Sequence, residues 1–271
     1  MSASIEEVRA FWDARPCNVR HSSEPIGTLQ YSREVTRRRY RVEPHIRDFA
    51  GFNDPEKVWP SMRVLEIGCG IGTDTIEFAK CGAFVTAADL SNESLEIADD
   101  RTKTHDLSGL VRFVQANAEE LNLGTNNFDL VYSFGVIHHT PDPLRALQSV
   151  RDHCNPLTDV RIMVYHAFSM KVMKTLLMNR FRWGSIAKYS EAQTGSPVTH
   201  VYTRRQAKEL MESAGFHVKD ISVRFLFPYV IDDYKKGVLR KTWFFQYMPK
   251  FMYRSLERLV GWHLLIEAKI A

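Results

Sequence analysis

Between about residues 60 and 165, short β-branched and apolar runs alternate with stretches whose apolar positions recur at helical spacing. That alternation predicts βαβ units and a parallel sheet. The strands are "RVLEI", "FVTAAD", "VRFVQA", "FDLVYS" and "VRIMVYH". One helix starts near Thr73, carries Asp74 and Glu77 toward its positive end and stops at Gly82. A second follows Ser91 as N-cap, and a third, "PLRALQSVRDHC", opens on Pro143 with Leu144, Leu147, Val150 and Cys154 on one side. Downstream, Thr203 and Gln206 predict a capping box and Gly215 a stop. "FHVKDISVRF" then reads as a strand, and "WHLLIEAKI" as a last strand paired antiparallel with it at the sheet edge.

Three segments stand outside this alternation: roughly 1 to 59, 167 to 200 and 226 to 260. They are rich in aromatic and basic residues and too long for simple loops of a compact domain. The expected organisation is therefore an N-terminal helical cap over 1 to 59, then an α/β domain over 60 to 271 with cap insertions at the other two segments.

Composition narrows the class. A chain of 271 residues, 44% hydrophobic and 25% charged, suits one elaborated soluble domain. No apolar run approaches the roughly 18 residues of a membrane span. The opening "MSASIEEVRAFWDARP" lacks the basic-then-apolar order of an export leader, so a cytoplasmic protein is expected. Cys17, Cys69, Cys81 and Cys154 lie far apart, which suggests neither a zinc site nor a disulfide framework. A net charge of +4, with basic clusters "RRRYR" and "YKKGVLRK", reads as solvated helix faces and falls short of a nucleic-acid module.

The chemistry centres on "LEIGCGIG", residues 65 to 72, where a strand runs into a glycine-rich turn and a helix. Such a turn lets backbone approach a nucleotide at the carboxyl end of a sheet. A dinucleotide would bring its pyrophosphate to the helix start, where Glu66 and Asp74 would repel it, and the Gly68, Gly70, Gly72 spacing is one residue short of the dinucleotide fingerprint. S-adenosylmethionine instead carries an ammonium and a sulfonium, which those carboxylates attract. Asp89, at the end of the second strand, is placed for ribose hydroxyls, and Leu90 beside it for the adenine.

With "VLEIGCGIGTDT", "VTAADLS", "VQANAEEL" and "FDLVYSFGVIHHTPDP" in order over about residues 60 to 165, the sequence resembles the class I S-adenosylmethionine-dependent methyltransferases. The resemblance implies a Rossmann-like, seven-stranded, mostly parallel sheet with helices on both faces and an antiparallel last strand. It implies that Glu66 and the Gly68, Gly70 and Gly72 backbone hold the methionine end, with Thr73 and Asp74 opening the helix, and that Asp89 holds the ribose. Asn117 stands where many relatives have an acid for the adenine amino group, and Ala118 offers backbone to the ring. Ser133 and Phe134 would border the transfer site, and Tyr40 resembles a tyrosine that approaches the cofactor. "HCNPLTDV" departs from the Pro-Gly-Gly turn usual in relatives, but Asn155 and Pro156 suit a turn.

Methyl transfer from a sulfonium is a direct displacement, so a base is needed only where the acceptor must lose a proton. The histidines His139, His138, His166 and His200 are the candidates, with at most one of the adjacent pair expected to face the pocket. Trp12, Arg20 and His21 in the N-terminal segment, with Tyr31 and Tyr165, are candidates to close over a small acceptor. No metal is expected. The expected activity is methylation of an oxygen or nitrogen on a small biosynthetic molecule, with a peptide or RNA acceptor, or a non-catalytic cofactor-binding scaffold, as alternatives. The aromatic and basic stretch "WFFQYMPKFMYRSLERLVGWH" is broken by Pro249, so it reads as pocket lining or a homodimer contact in preference to a membrane-surface helix.

Overall fold

Strands β1 (Arg63–Ile67), β2 (Phe84–Asp89), β3 (Val111–Gln115), β4 (Leu130–Phe134) and β5 (Asp159–Tyr165) pair in parallel. With β6 (Phe216–Arg224) and β7 (His263–Ile270) they form one seven-stranded sheet of order β3-β2-β1-β4-β5-β7-β6. The structure, a computed structural model, describes residues 3–124, 127–182 and 196–271. The middle of the 167 to 200 insertion lies outside the described residues.

β7 does not take the sheet edge expected of it. It runs antiparallel to both β5 and β6, and β6 is outermost. Burial explains the exchange. Leu264, Leu265 and Ile266 are consecutive and all buried, which requires cover on both faces, whereas His217, Lys219 and Asp220 in β6 are exposed.

Helices α1 (Ile5–Ala14), α2 (Leu29–Val42) and α3 (His45–Ala50) precede β1. α4 (Thr73–Lys80), α5 (Asn92–Lys103) and α6 (Pro143–Arg151) are crossovers, α7 (Met170–Met178) follows β5, and α8 (Arg204–Ser213) precedes β6. Three short helices, α9 (Ile231–Lys235), α10 (Trp243–Gln246) and α11 (Lys250–Val260), separate β6 from β7.

Local chemistry fixes the helix starts. The Ser91 hydroxyl accepts the Ser94 N–H at 3.1 Å, Asp142 caps α6 ahead of Pro143, and Thr203 with Gln206 forms a capping box. A second box, Ser4 with Glu7, starts α1. In the "HCNPLTDV" turn, the Asn155 side-chain oxygen accepts the Leu157 N–H at 2.8 Å and the Thr158 hydroxyl donates to the Phe128 carbonyl at 2.7 Å. Side chains thus close a turn that glycines close elsewhere.

Alternation along the strands divides the core. Leu65, Ile67, Val131 and Ile162 pack with Leu147 of α6 and Met211 of α8, while Val64, Leu130, Tyr132 and Met163 pack on the other side with Phe78 and Trp59. Each such fully buried side chain contributes about 1.5 to 3 kcal/mol. A buried arginine then ties the N-terminal helices to this body. Arg101 donates to the Thr73 hydroxyl at 3.0 Å and to the Ile71 carbonyl on the glycine loop, and to the Ser32 and Thr36 hydroxyls of α2, each at 3.2 Å.

Candidate active site

The strand order reverses between β1 and β4, which opens a crevice at their carboxyl ends. A cavity of about 320 Å³ lies there. One end is walled by the glycine loop and the ends of β2 and β3, the other by α1, α2 and residues 225 to 263.

At the nucleoside end, Gly68, Gly70 and Gly72 all take positive φ. A Cβ on Gly68 would sit 1.9 Å from the Val136 side chain, so only glycine fits. A Cβ on Gly70 would meet nothing within 4 Å, so that bend faces open cavity. Asp89 accepts the Gly70 N–H at 2.7 Å and the Ser91 N–H at 2.9 Å, fixing the loop against β2. Burial raises its carboxyl above the usual carboxylate range. Each Asp89 oxygen keeps a lone pair for a further donor.

The two loop acids are not equivalent. Asp74 accepts the Tyr40 hydroxyl at 2.7 Å and the Tyr132 hydroxyl at 3.0 Å, and pairs with Arg39 at 3.2 Å. Glu66 has a hydrogen bond from the Thr75 hydroxyl, and burial, followed by the neighbouring Asp74 charge, pushes its carboxyl well above the usual range. Both acids line the cavity. Glu66 is therefore a buried acid that a neighbouring cation would hold in its ionised form, and the α-ammonium of S-adenosylmethionine would provide one. The residues present fit that molecule.

Leu90, Asn117, Ala118, Thr73 and Phe134 also line the cavity. The Asn117 side-chain oxygen accepts the Glu119 N–H at 3.0 Å, so it caps a short turn before it can meet any ligand. Ser133 is turned away: its hydroxyl donates to the Ile67 carbonyl at 3.1 Å, within the sheet. Tyr40 is absent from the cavity wall and reaches it only through Asp74.

At the other end, Trp12 packs edge-on to His139, with ring centroids 5.4 Å apart, and both line the cavity with His21 and Tyr165. The Val198 carbonyl lies 2.7 Å from His139 Nδ1. A carbonyl only accepts, so Nδ1 carries the proton and Nε2 the lone pair of the neutral ring. His138 is absent from the wall; it is fully buried, its ring 3.8 Å from that of Tyr165, and both ring nitrogens lack hydrogen-bond partners among the described residues. Burial holds it neutral, well below the usual histidine range.

His166 is likewise off the wall, its Nδ1 donating to the Gly261 carbonyl at 3.0 Å. Arg20 is exposed, and Tyr31 is buried beside Val35 and Ile71 with its hydroxyl on the Val19 carbonyl at 3.1 Å. Both stand apart from the cavity, Tyr31 because α2 packs it on Ile71 of the glycine loop and Arg20 because it points to solvent.

Sequence reasoning missed one cluster. His263, from β7, lines the cavity with its Nδ1 2.9 Å from His45 Nε2 and its Nε2 3.8 Å from Glu43, another wall residue. Burial, then His45, holds His263 well below the usual range. No local signal joins residues more than two hundred positions apart. Among the described residues no metal-binding cluster occurs, and no helix is long and apolar enough to cross a membrane.

Residues 64–157 match a family model described as a methyltransferase domain. A ubiquinone biosynthesis O-methyltransferase of Haemophilus ducreyi is 33% identical over 99 residues, 35% of this chain and 41% of that protein. A ubiquinone/menaquinone biosynthesis C-methyltransferase of Vibrio campbellii is 30% identical over 129 residues, 42% of this chain and 50% of that protein. The chain thus spans about half the length, or less, of these curated relatives. Magnesium protoporphyrin IX methyltransferase from Synechocystis, solved with bound S-adenosylhomocysteine, superposes at a TM-score of 0.63 with 11% identity, covering 99% of this chain and all of that one. The cyclase SpnF superposes at 0.62 with 18% identity, covering 100% and 98%. These last two likenesses concern the fold, which accommodates a cyclase as well as methyltransferases. The matched segment, residues 64–157, is the one whose strands and loops wall the nucleoside end, and it is similar to a methyltransferase domain.

Proposed function

We propose that the protein transfers the methyl group of S-adenosylmethionine to an oxygen or nitrogen of a small-molecule acceptor. The observation that carries this reading is the buried Glu66 carboxyl on the cavity wall beside the open Gly70 bend, in a cavity that continues into a chamber walled by Trp12, Tyr165, Phe225 and Trp262. Bound there, S-adenosylmethionine supplies an electrophilic methyl on a sulfonium. The chain supplies the rest: Glu66 holds the ammonium, Asp89 the ribose hydroxyls, and the aromatic chamber keeps the acceptor in line and water out. The N-terminal helices and the helices within 226 to 260 act as its cap.

His139 is the leading base, because the Val198 carbonyl fixes the tautomer that leaves Nε2 to take a proton. His263 is the second candidate. When its Nδ1–H donates to His45, its Nε2 is the basic nitrogen, and Glu43 at 3.8 Å stabilises the resulting imidazolium.

The test joins calorimetry with S-adenosylhomocysteine to transfer of labelled methyl to a panel of phenols, quinols, amines, peptides and RNA. Micromolar binding and labelling of a small acceptor are expected; labelling confined to peptide or RNA would overturn the acceptor class. His139→Asn should lower kcat by about 100-fold or more with unchanged cofactor affinity. A loss of that size in His263→Asn instead would move the role there.

A further inference from the structure

Helix α11 is amphipathic in an unusual sense, for it turns its strongest apolar residues outward. Its protein-facing side is Tyr253, Leu256, Glu257 and Val260, and the Glu257 carboxylate accepts the Phe225 N–H at 3.0 Å. Two ridges four residues apart in repeat face away. Phe251 and Leu259, with the small Ser255 between them, form one, 71% and 69% exposed, with Met252 beside it. Lys250, Arg254 and Arg258 form the other, all exposed. Trp243 and Tyr247, at 77% and 79% exposure, extend the apolar side through α10. From 231 to 260 the surface carries seven exposed lysines and arginines against one exposed carboxylate, Asp232.

We propose that this face docks the protein on an anionic lipid bilayer. The apolar ridge enters the acyl boundary while the parallel cationic ridge lies among the headgroups, the arrangement of an interfacial helix. Charge argues against a symmetric dimer, which would bring two cationic ridges together. Phosphate contacts alone would leave Met252 and Leu259 without a use, so RNA fits less well. From sequence, this stretch read as pocket lining or a homodimer contact. Tyr234 and Trp262 do line the cavity, yet the side chains between them that matter here point to solvent. Docking would bring the aromatic end of the cavity to the bilayer. The proposal holds whether or not the methyl-transfer reading does.

Flotation of the full chain with vesicles tests it, using phosphatidylcholine alone and phosphatidylcholine with about a third phosphatidylglycerol. Binding to the anionic vesicles is expected to be at least tenfold tighter and to weaken with added salt. Arg254→Gln and Arg258→Gln should each cost about fivefold. Phe251→Ser with Leu259→Ser should abolish flotation at any salt while the melting temperature stays at the wild-type value, since both side chains are exposed. No flotation with either vesicle, or variants that float like the wild type, overturns the proposal. So does a wild-type dimer dissolved by Phe251→Ser, or an RNA mobility shift lost in Arg254→Gln, without vesicle binding. The wild-type salt dependence needs no variant, and S-adenosylhomocysteine calorimetry reports separately on the methyl-transfer reading.

Discussion

The two ends of the cavity are built by different means. The nucleoside end comes from consecutive stretches of chain, each a strand end and its following loop: Glu66 to Gly72, Asp89 to Leu90, and Asn117 to Ala118. The acceptor end gathers Trp12, His21, His139, Phe227 and His263 from elements scattered over the whole length. The first uses backbone geometry and carboxylates; the second uses aromatic rings and histidines. Binding of a common cofactor asks for a local, reproducible frame, whereas recognition of a particular acceptor is left to the parts that vary freely around it.

The sharpest way to break the comparison is at the glycine loop. Gly68→Ala places a methyl into Val136, and S-adenosylhomocysteine affinity should fall more than about 100-fold, roughly 3 kcal/mol or more, with a lower melting temperature. Gly70→Ala faces open cavity, so it should cost affinity while leaving melting within a few degrees of wild type. Equal effects of the two on melting would mean that the bend at Gly70 is structural and not a ligand cradle.

Acid should separate the ends next. His21 and His45 are pushed down to about 3, in each case chiefly by burial. Both stay neutral in the fold near pH 5.5 but take a proton on unfolding, with an unfolded value near 6.5. Their stabilisation is whole above about 6.5 and declines as the pH drops below it, by about 1.4 kcal/mol per histidine at pH 5.5. Glu66 and Asp89, raised by burial, act in the opposite sense, because there the folded state takes the proton first. Urea midpoints at pH 7.5 and 5.5 should show a net loss, to which His138 and His263, held low by burial in the same way, add and which Glu66 and Asp89 offset. A flat profile would imply that these histidines reach water.

A smaller effect is expected of Asp89→Ala. Loss of ribose contacts should weaken S-adenosylhomocysteine by about 1 to 3 kcal/mol, part of it through release of the Gly70 N–H. Unchanged affinity in calorimetry would remove Asp89 from the ribose role.

The five parallel strands, their capped helices and the loop acids were legible in the sequence because their signals are local: strand periodicity, a capping residue, a glycine at a bend. Ser133 was misleading for an equally local reason, since a strand's alternation decides which way its side chain points and the motif does not. Asn155 shows the reverse, with a local side-chain turn replacing absent glycines. The placement of β7 between β5 and β6 needed the whole sheet, because two-sided burial of Leu264 to Ile266 is a property of neighbours.

The sequence by itself determined the α/β frame, the glycine bend and the carboxylates that face it. Only the tertiary structure decided that Asp74 is already matched by Arg39 and two tyrosines while Glu66 is not, that His45 and His263 meet, and that α11 turns its apolar ridge to solvent. The physical reason is range: hydrogen-bonded turns and periodicity act over a few residues, whereas charge compensation and burial depend on which distant segments the fold brings together.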